Sequence, residues 1–176
     1  MGDVMEVVMT RADSSAVPGT WVLLSYRVPR EPSTPRISIW RKLKRLGVAQ
    51  LSDGLVALPA DARTREHLDW IAHEVTEAGG TASLWVAQPA TLATEREMAA
   101  AMATARAAEY AAVTAEATAA AHLAETARLS LARRLRAELR RIQRRDYFPP
   151  AERDMATAAT EALTTMAVPE PTEQRT

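Results

Sequence analysis

The sequence contains no cysteine. That absence excludes disulfide scaffolds, thiolate metal sites and cysteine nucleophiles, and it suits a reducing compartment. Net charge is missing too: 22 basic residues balance 22 acidic ones, so no whole-molecule field draws the chain to nucleic acid or membrane. Any charge argument must be local. There is no apolar run of the ~18 residues that a membrane span needs. Residues 1–19 carry Asp3 and Glu6 and lack a basic segment followed by an apolar one, so they do not read as a secretory signal. A cytoplasmic protein, with no membrane partner, is expected. From Ala90 to Phe148 there is neither glycine nor proline. That region is therefore expected to be helical throughout.

What is present is one domain's worth of alternating patterns. Trp21 to Val28 is short, aromatic and β-branched, and is closed by Pro29, as a buried strand should be. Ser33-Thr34-Pro35 offers a hydroxyl cap followed by proline at the first helical position, and Gly47 supplies a stop, which predicts a helix over 35–46. At 100° per residue, Ile39, Trp40, Leu43 and Leu46 share one face of that helix and are assigned to the core. Val48–Leu51 and Leu55–Leu58 flank Ser52-Asp53-Gly54, a turn sequence, and read as two strands. Residues 62–78 repeat apolar side chains at helical spacing up to Gly79-Gly80, and Thr81–Val86 reads as a fourth strand.

The order β-α-β-β-α-β, in about 65 residues with short connections, predicts an α+β fold of ferredoxin-like type with both helices on one sheet face. The other face needs cover. Of the 35 residues from 90 to 124, 17 are alanine, the best helix former. Such a helix buries little area per residue and must pack closely to persist, so a long helical hairpin is expected. In 128–145 Leu131, Leu135, Leu139 and Ile142 form a stripe amid arginines. Pro149-Pro150 breaks the helix, and Ala151–Met166 can form a short last one. The expected organisation is a flexible leader over 1–19, a ferredoxin-like domain over 20–88, a helical extension over 90–166 and a disordered tail over 167–176.

Three stretches carry a family resemblance: Trp21-Val22-Leu23-Leu24 through Pro32-Ser33-Thr34-Pro35-Arg36 to Trp40-Arg41-Lys42-Leu43; Asp53-Gly54 through Leu58-Pro59; and Arg144-Arg145-Asp146-Tyr147-Phe148-Pro149. Together they resemble the N-terminal domain of the chromate-resistance protein ChrB, over about residues 21 to 166, and a stand-alone form without the family's C-terminal domain is expected. The resemblance implies a regulator that controls a chromate-efflux gene by binding promoter DNA and responding to chromate.

The residues themselves offer basic surfaces. Helix 128–145 holds 8 of the 22 basic residues with only Glu138 opposing them, a density that could neutralise several phosphates. The candidate DNA contacts are Arg36, Arg41, Lys42, Lys44 and Arg45 on the first helix, with Arg133, Arg134, Arg136, Arg140, Arg141, Arg144 and Arg145. The plain alternative is a solvated face neutralised by Glu109, Glu116 and Glu125 of the preceding helix. His67 and His73 lie six apart and cannot converge on one metal, which asks for i, i+4 spacing. No serine, histidine and acid form a nucleophile arrangement, so no enzyme, metal or cofactor is expected. A metal-dependent nuclease on the same fold would need an acid at the end of the first strand, where Tyr26-Arg27-Val28 stands instead. Two readings compete. One is a homodimeric DNA-binding regulator with a chromate oxyanion as effector; the other is a non-catalytic module that docks a separately encoded ChrB C-terminal domain through the alanine-rich helices.

Overall fold

The computed structural model describes residues 19–165. The expected leader, apart from Gly19, and the expected tail lie outside them. The elements are β1 (Trp21–Arg27), α1 (Ser33–Leu46), β2 (Ala49–Ser52), β3 (Leu55–Pro59), α2 (Ala62–Glu77), β4 (Thr81–Ala87), α3 (Leu92–Ala119), α4 (Glu125–Gln143) and α5 (Glu152–Thr165). The fold is α+β, with one four-stranded antiparallel sheet in the order β2-β3-β1-β4.

Pairing register assigns the two faces. Directly opposed residues in an antiparallel sheet project to the same side. Val22 opposes Leu58 and Val86, and Leu24 opposes Val56 and Leu84, so these residues make one face. Val22, Leu24, Val56 and Leu58 are buried, and they share a core with Ile39 and Leu43 of α1 and Leu68, Ile71 and Val75 of α2. The turn that joins β2 to β3 needs Gly54: its φ is +75°, and a side chain there would come within 2.4 Å of the Tyr26 carbonyl oxygen.

Alternation puts Trp21, Leu23, Ala49 and Ala57 on the opposite face. Here α3 supplies the cover. Trp21 donates from its indole Nε1 to Glu95 of α3 at 3.2 Å, and Phe148 stacks on the Trp21 ring with centroids 5.9 Å apart. Met98 and Met102 of α3 complete this half of the core. The cover stops short of β4, where Trp85, opposite Leu23, remains 59% exposed.

The region without glycine or proline still breaks. α3 ends at Ala119, and Ala120 to Ala124 reverse the chain through successive short turns, Ala120 N–H to Ala117 at 3.2 Å and Leu123 N–H to Ala120 at 3.1 Å. These bonds satisfy the freed carbonyls, so no left-handed glycine is required. Cross-contacts then pair Glu116, near the end of α3, with Arg134 in the middle of α4, and Glu109, two turns earlier, with Arg145 just beyond α4. The two helices therefore run antiparallel. With α5 they form a second core of Tyr110, Val113, Ala117, Leu135, Leu139, Ile142 and Leu163.

Two expectations for α1 need correction. Its N-cap is Pro32, with no side-chain cap bond, and Ser33 is the first helical residue. Trp40 is 52% exposed instead of buried. It lies 100° around the helix from Ile39, at the margin of the apolar stripe, where its ring takes Lys44 Nζ at 5.7 Å from the centroid.

Because the Trp21–Phe148 stack ties the loop after α4 to the sheet, Phe148→Ala should destabilise the protein by about 2–4 kcal/mol. Urea unfolding should report this as a lower midpoint with an unchanged slope.

Candidate functional site

Three helices converge on a cleft of about 590 Å³ lined by Lys44, Arg45 and Leu46 of α1, Arg63 and His67 of α2, and Glu138 and Arg141 of α4, with Arg144, Arg145 and Tyr147 beyond the α4 end. Six of these side chains are cations and one is an acid.

Local structure explains why the cations stand there. α1 and α4 both end at the cleft, with Lys44 and Arg45 in the last turn of one and Arg140 and Arg141 in the last turn of the other. Helix C-termini carry partial negative charge, about −0.5 each, and favour cations. α1 can stop where it does because Gly47 adopts φ +71°, with its N–H bonded to the Lys44 carbonyl at 3.2 Å. A Cβ there would lie 2.6 Å from Arg106 Nη1 and 3.0 Å from the Arg145 carbonyl oxygen. α2 begins in a capping box: Thr64 N–H donates to Asp61 at 2.6 Å, and Asp61 N–H donates to Thr64 Oγ1 at 2.9 Å. The Thr64 backbone N–H, with that of Arg63 and the nearby guanidinium, holds the Asp61 carboxyl below its ordinary pKa. This box sets Arg63 at the cleft wall.

Beneath the cleft lies a network of charged and polar groups. Arg106 of α3, 8% exposed, donates to Glu109 at 3.1 Å, and Arg145 reaches the same carboxylate at 3.1 Å. Burial pulls the Arg106 pKa down, against the opposing pull of Glu109. Tyr110 donates its hydroxyl to Asp146 at 2.8 Å, and Arg153 of α5 lies 3.8 Å from that carboxylate. The Asp146 side chain is fully buried.

Not every expected DNA contact joins the cleft. Lys44, Arg45, Arg141, Arg144 and Arg145 do. Arg41 sits beside Arg45 in a shallow depression on the outer side of α1. Lys42 faces α2 and pairs with Glu74 at 2.5 Å. Arg36 lies near the other end of α1, by Arg27 and Arg30. Arg134 is taken up by Glu116 across the helix pair, and Arg136 donates to Thr164 of α5 at 3.3 Å. Arg140 lines the groove between α4 and α5, and Arg133 is exposed on α4 outside the cleft. Arg141 pairs with Glu138 at 3.0 Å within its own helix. Lys44, Arg45, Arg63 and Arg144 make no ion pair with any described residue.

Sequence reasoning missed Arg63. A signal existed: a cation in the first turn of a helix opposes the dipole, and α2 has no first-turn acid to offset it. Among the described residues no group of three or more histidines or carboxylates could hold a metal ion. No described helix is long and apolar enough to cross a membrane.

The family described as Protein ChrB, N-terminal, matches residues 36–170 of this sequence. The chain belongs to the ChrB N-terminal family. No curated protein and no solved structure matches it. The match runs from Arg36 within α1 through α5 and includes every residue of the cleft, so the cationic site lies inside the family segment. Membership associates the chain with chromate resistance.

Tyr110→Phe should cost about 1–3 kcal/mol, since it strips the buried Asp146 of a donor. All three tyrosines are held above the ordinary phenol pKa of 10.0, chiefly by burial, helped at Tyr110 by the bond to Asp146 and at Tyr26 by the Asp53 charge. The sign follows: below pH 10 both folded and unfolded chains keep these protons, and above it the unfolded chain loses them first. Stability should therefore fall as pH rises past about 10, with native phenolate absorbance lagging that of the urea-unfolded chain.

Proposed function

We propose that this protein is a DNA-binding transcriptional regulator of a chromate-resistance operon, acting as a homodimer whose DNA affinity responds to chromate. One observation carries the reading: four cations, Lys44, Arg45, Arg63 and Arg144, gather from α1, α2 and the end of α4 at one cleft, and none makes an ion pair with a described carboxylate. Unpaired arginine and lysine on a shared surface are what phosphate backbones bind, whereas a merely solvated basic face neutralises itself, as Arg134 does with Glu116. Arg41, beside Arg45, extends the basic surface along the outer side of α1. In this reading the sheet domain is ferredoxin-like, α3 and α4 are a helical hairpin, and the contacts are to backbone more than to bases.

A second reading has its own observation. Trp85 on the edge strand β4 is 59% exposed where the cover of α3 stops short, and a separate ChrB C-terminal domain could dock there. Co-purification of the two chains supports it; two monodisperse species that never associate reject it.

The DNA reading is tested by fluorescence anisotropy with promoter and scrambled duplexes across a salt series. Affinity should fall steeply with salt, and Arg45→Ala with Arg144→Ala should shallow the log–log slope by about 2, close to one unit per lost phosphate contact. Arg134→Ala, which removes an already paired cation, should change it by less than about half a unit. Absence of binding even at low salt would sink the reading.

A further inference from the structure

The cleft is more than a basic surface: it is a pocket, and its shape and charge specify more than a duplex backbone requires. Its volume of about 590 Å³ falls within the ~300–1,000 Å³ typical of small-molecule sites. A single tetrahedral oxyanion, a few times the ~30 Å³ share of one water, would leave most of it empty.

Charge points the same way. Arg141 and Arg145 are committed to Glu138 and Glu109, at 3.0 Å and 3.1 Å. Lys44, Arg45, Arg63 and Arg144 remain. The two helix C-termini offset about one unit between them and Asp61, whose carboxyl feels Arg63, offsets part of another, which leaves roughly two to three positive charges unmatched. One phosphate group brings about −1.5 to −2 at neutral pH, so two adjacent phosphates match the remainder. Tyr147 and Leu46 add an apolar wall beside the cations.

We propose that this cleft binds a diphosphate group, either free as pyrophosphate or carried by a nucleoside. Arg63 of α2 and Arg144 at the end of α4 hold it, Lys44 and Arg45 close the α1 side, and Trp40 steadies Lys44 through its ring. The guanidinium fork suits this role because it meets two phosphate oxygens at once. The site goes beyond the DNA reading and is tested without DNA, so each can fail alone.

The experiment is isothermal titration calorimetry of the full chain with pyrophosphate, ADP, adenosine and sulfate at matched ionic strength. Pyrophosphate and ADP should bind one to one, at least about tenfold more tightly than sulfate, and adenosine should give no heat. Arg63→Gln and Arg144→Gln, both at exposed positions, should each weaken binding roughly tenfold, while Arg96→Gln, outside the cleft, should not. Glu138→Gln removes the one acid of the lining and should tighten binding about two- to threefold, a gain that misfolding cannot mimic. Equal affinity for pyrophosphate and ADP identifies the free diphosphate as sufficient. Tighter ADP binding, lost in Tyr147→Leu, identifies the nucleoside as carrier. Sulfate as tight as pyrophosphate, no heat with either diphosphate, or equal weakening by Arg96→Gln overturns the proposal.

Discussion

The structure depends on a partly buried cluster of charge where α3, α4 and α5 meet, with Arg106 and Asp146 at its buried centre. Glu109 is shared by Arg106 and Arg145, each at 3.1 Å, and Asp146 is held by Tyr110 and approached by Arg153. Charges withdrawn from water are costly unless paired, and removing one partner from such a group typically costs about 3–5 kcal/mol. The geometry of the loop after α4 is therefore tightly constrained. Arg145 and Asp146 are fixed by the network, and the next two residues, Tyr147 and Phe148, are thereby delivered to the cleft wall and to the Trp21 ring.

That constraint also joins the two cores. The helical bundle sets Ala117, Ala120, Ala132 and Ala156 beside Tyr110, Leu135, Leu139 and Ile142, and its alanines gain little from each residue they bury. Its connection to the sheet runs through Trp21, Glu95, Met98, Met102 and Phe148, a short list with large contact per residue. Gly47, at φ +71°, adds a close approach between the end of α1 and the Arg145 backbone that a side chain would crowd. The cleft is the outer side of this junction, and its cations are tolerated because two helices end there with their negative poles toward it.

Much of the fold was legible in the sequence. The strand at 21–27 announced itself by aromatic and β-branched residues before a proline, the Asp53-Gly54 turn by its chemistry, and the helix at 62–77 by apolar spacing before two glycines. Trp40 was misplaced because a stripe drawn at 100° per residue has soft edges, and only the position of α2 decides which edge is covered. The place of the reversal, 120–124, was invisible because it uses alanine, histidine and leucine where turns usually advertise themselves with glycine or proline. Arg63 was overlooked because its neighbours Asp61, Arg65, Glu66 and Asp69 mix both signs, so no excess of cations marks it.

The sequence by itself determined the element types, the α+β class, the absence of cysteine chemistry and the existence of arginines in excess along one helix. Local propensity and periodicity act over a few residues, and these are properties of a few residues at a time. Only the tertiary structure decided which cations are spent and which remain. Lys42 and Glu74 are 32 residues apart, Arg145 and Glu109 are 36, and each pairing depends on how helices pack. Whether a charge is neutralised is set by what comes within a few ångströms of it, and in this chain those neighbours come from distant stretches of sequence.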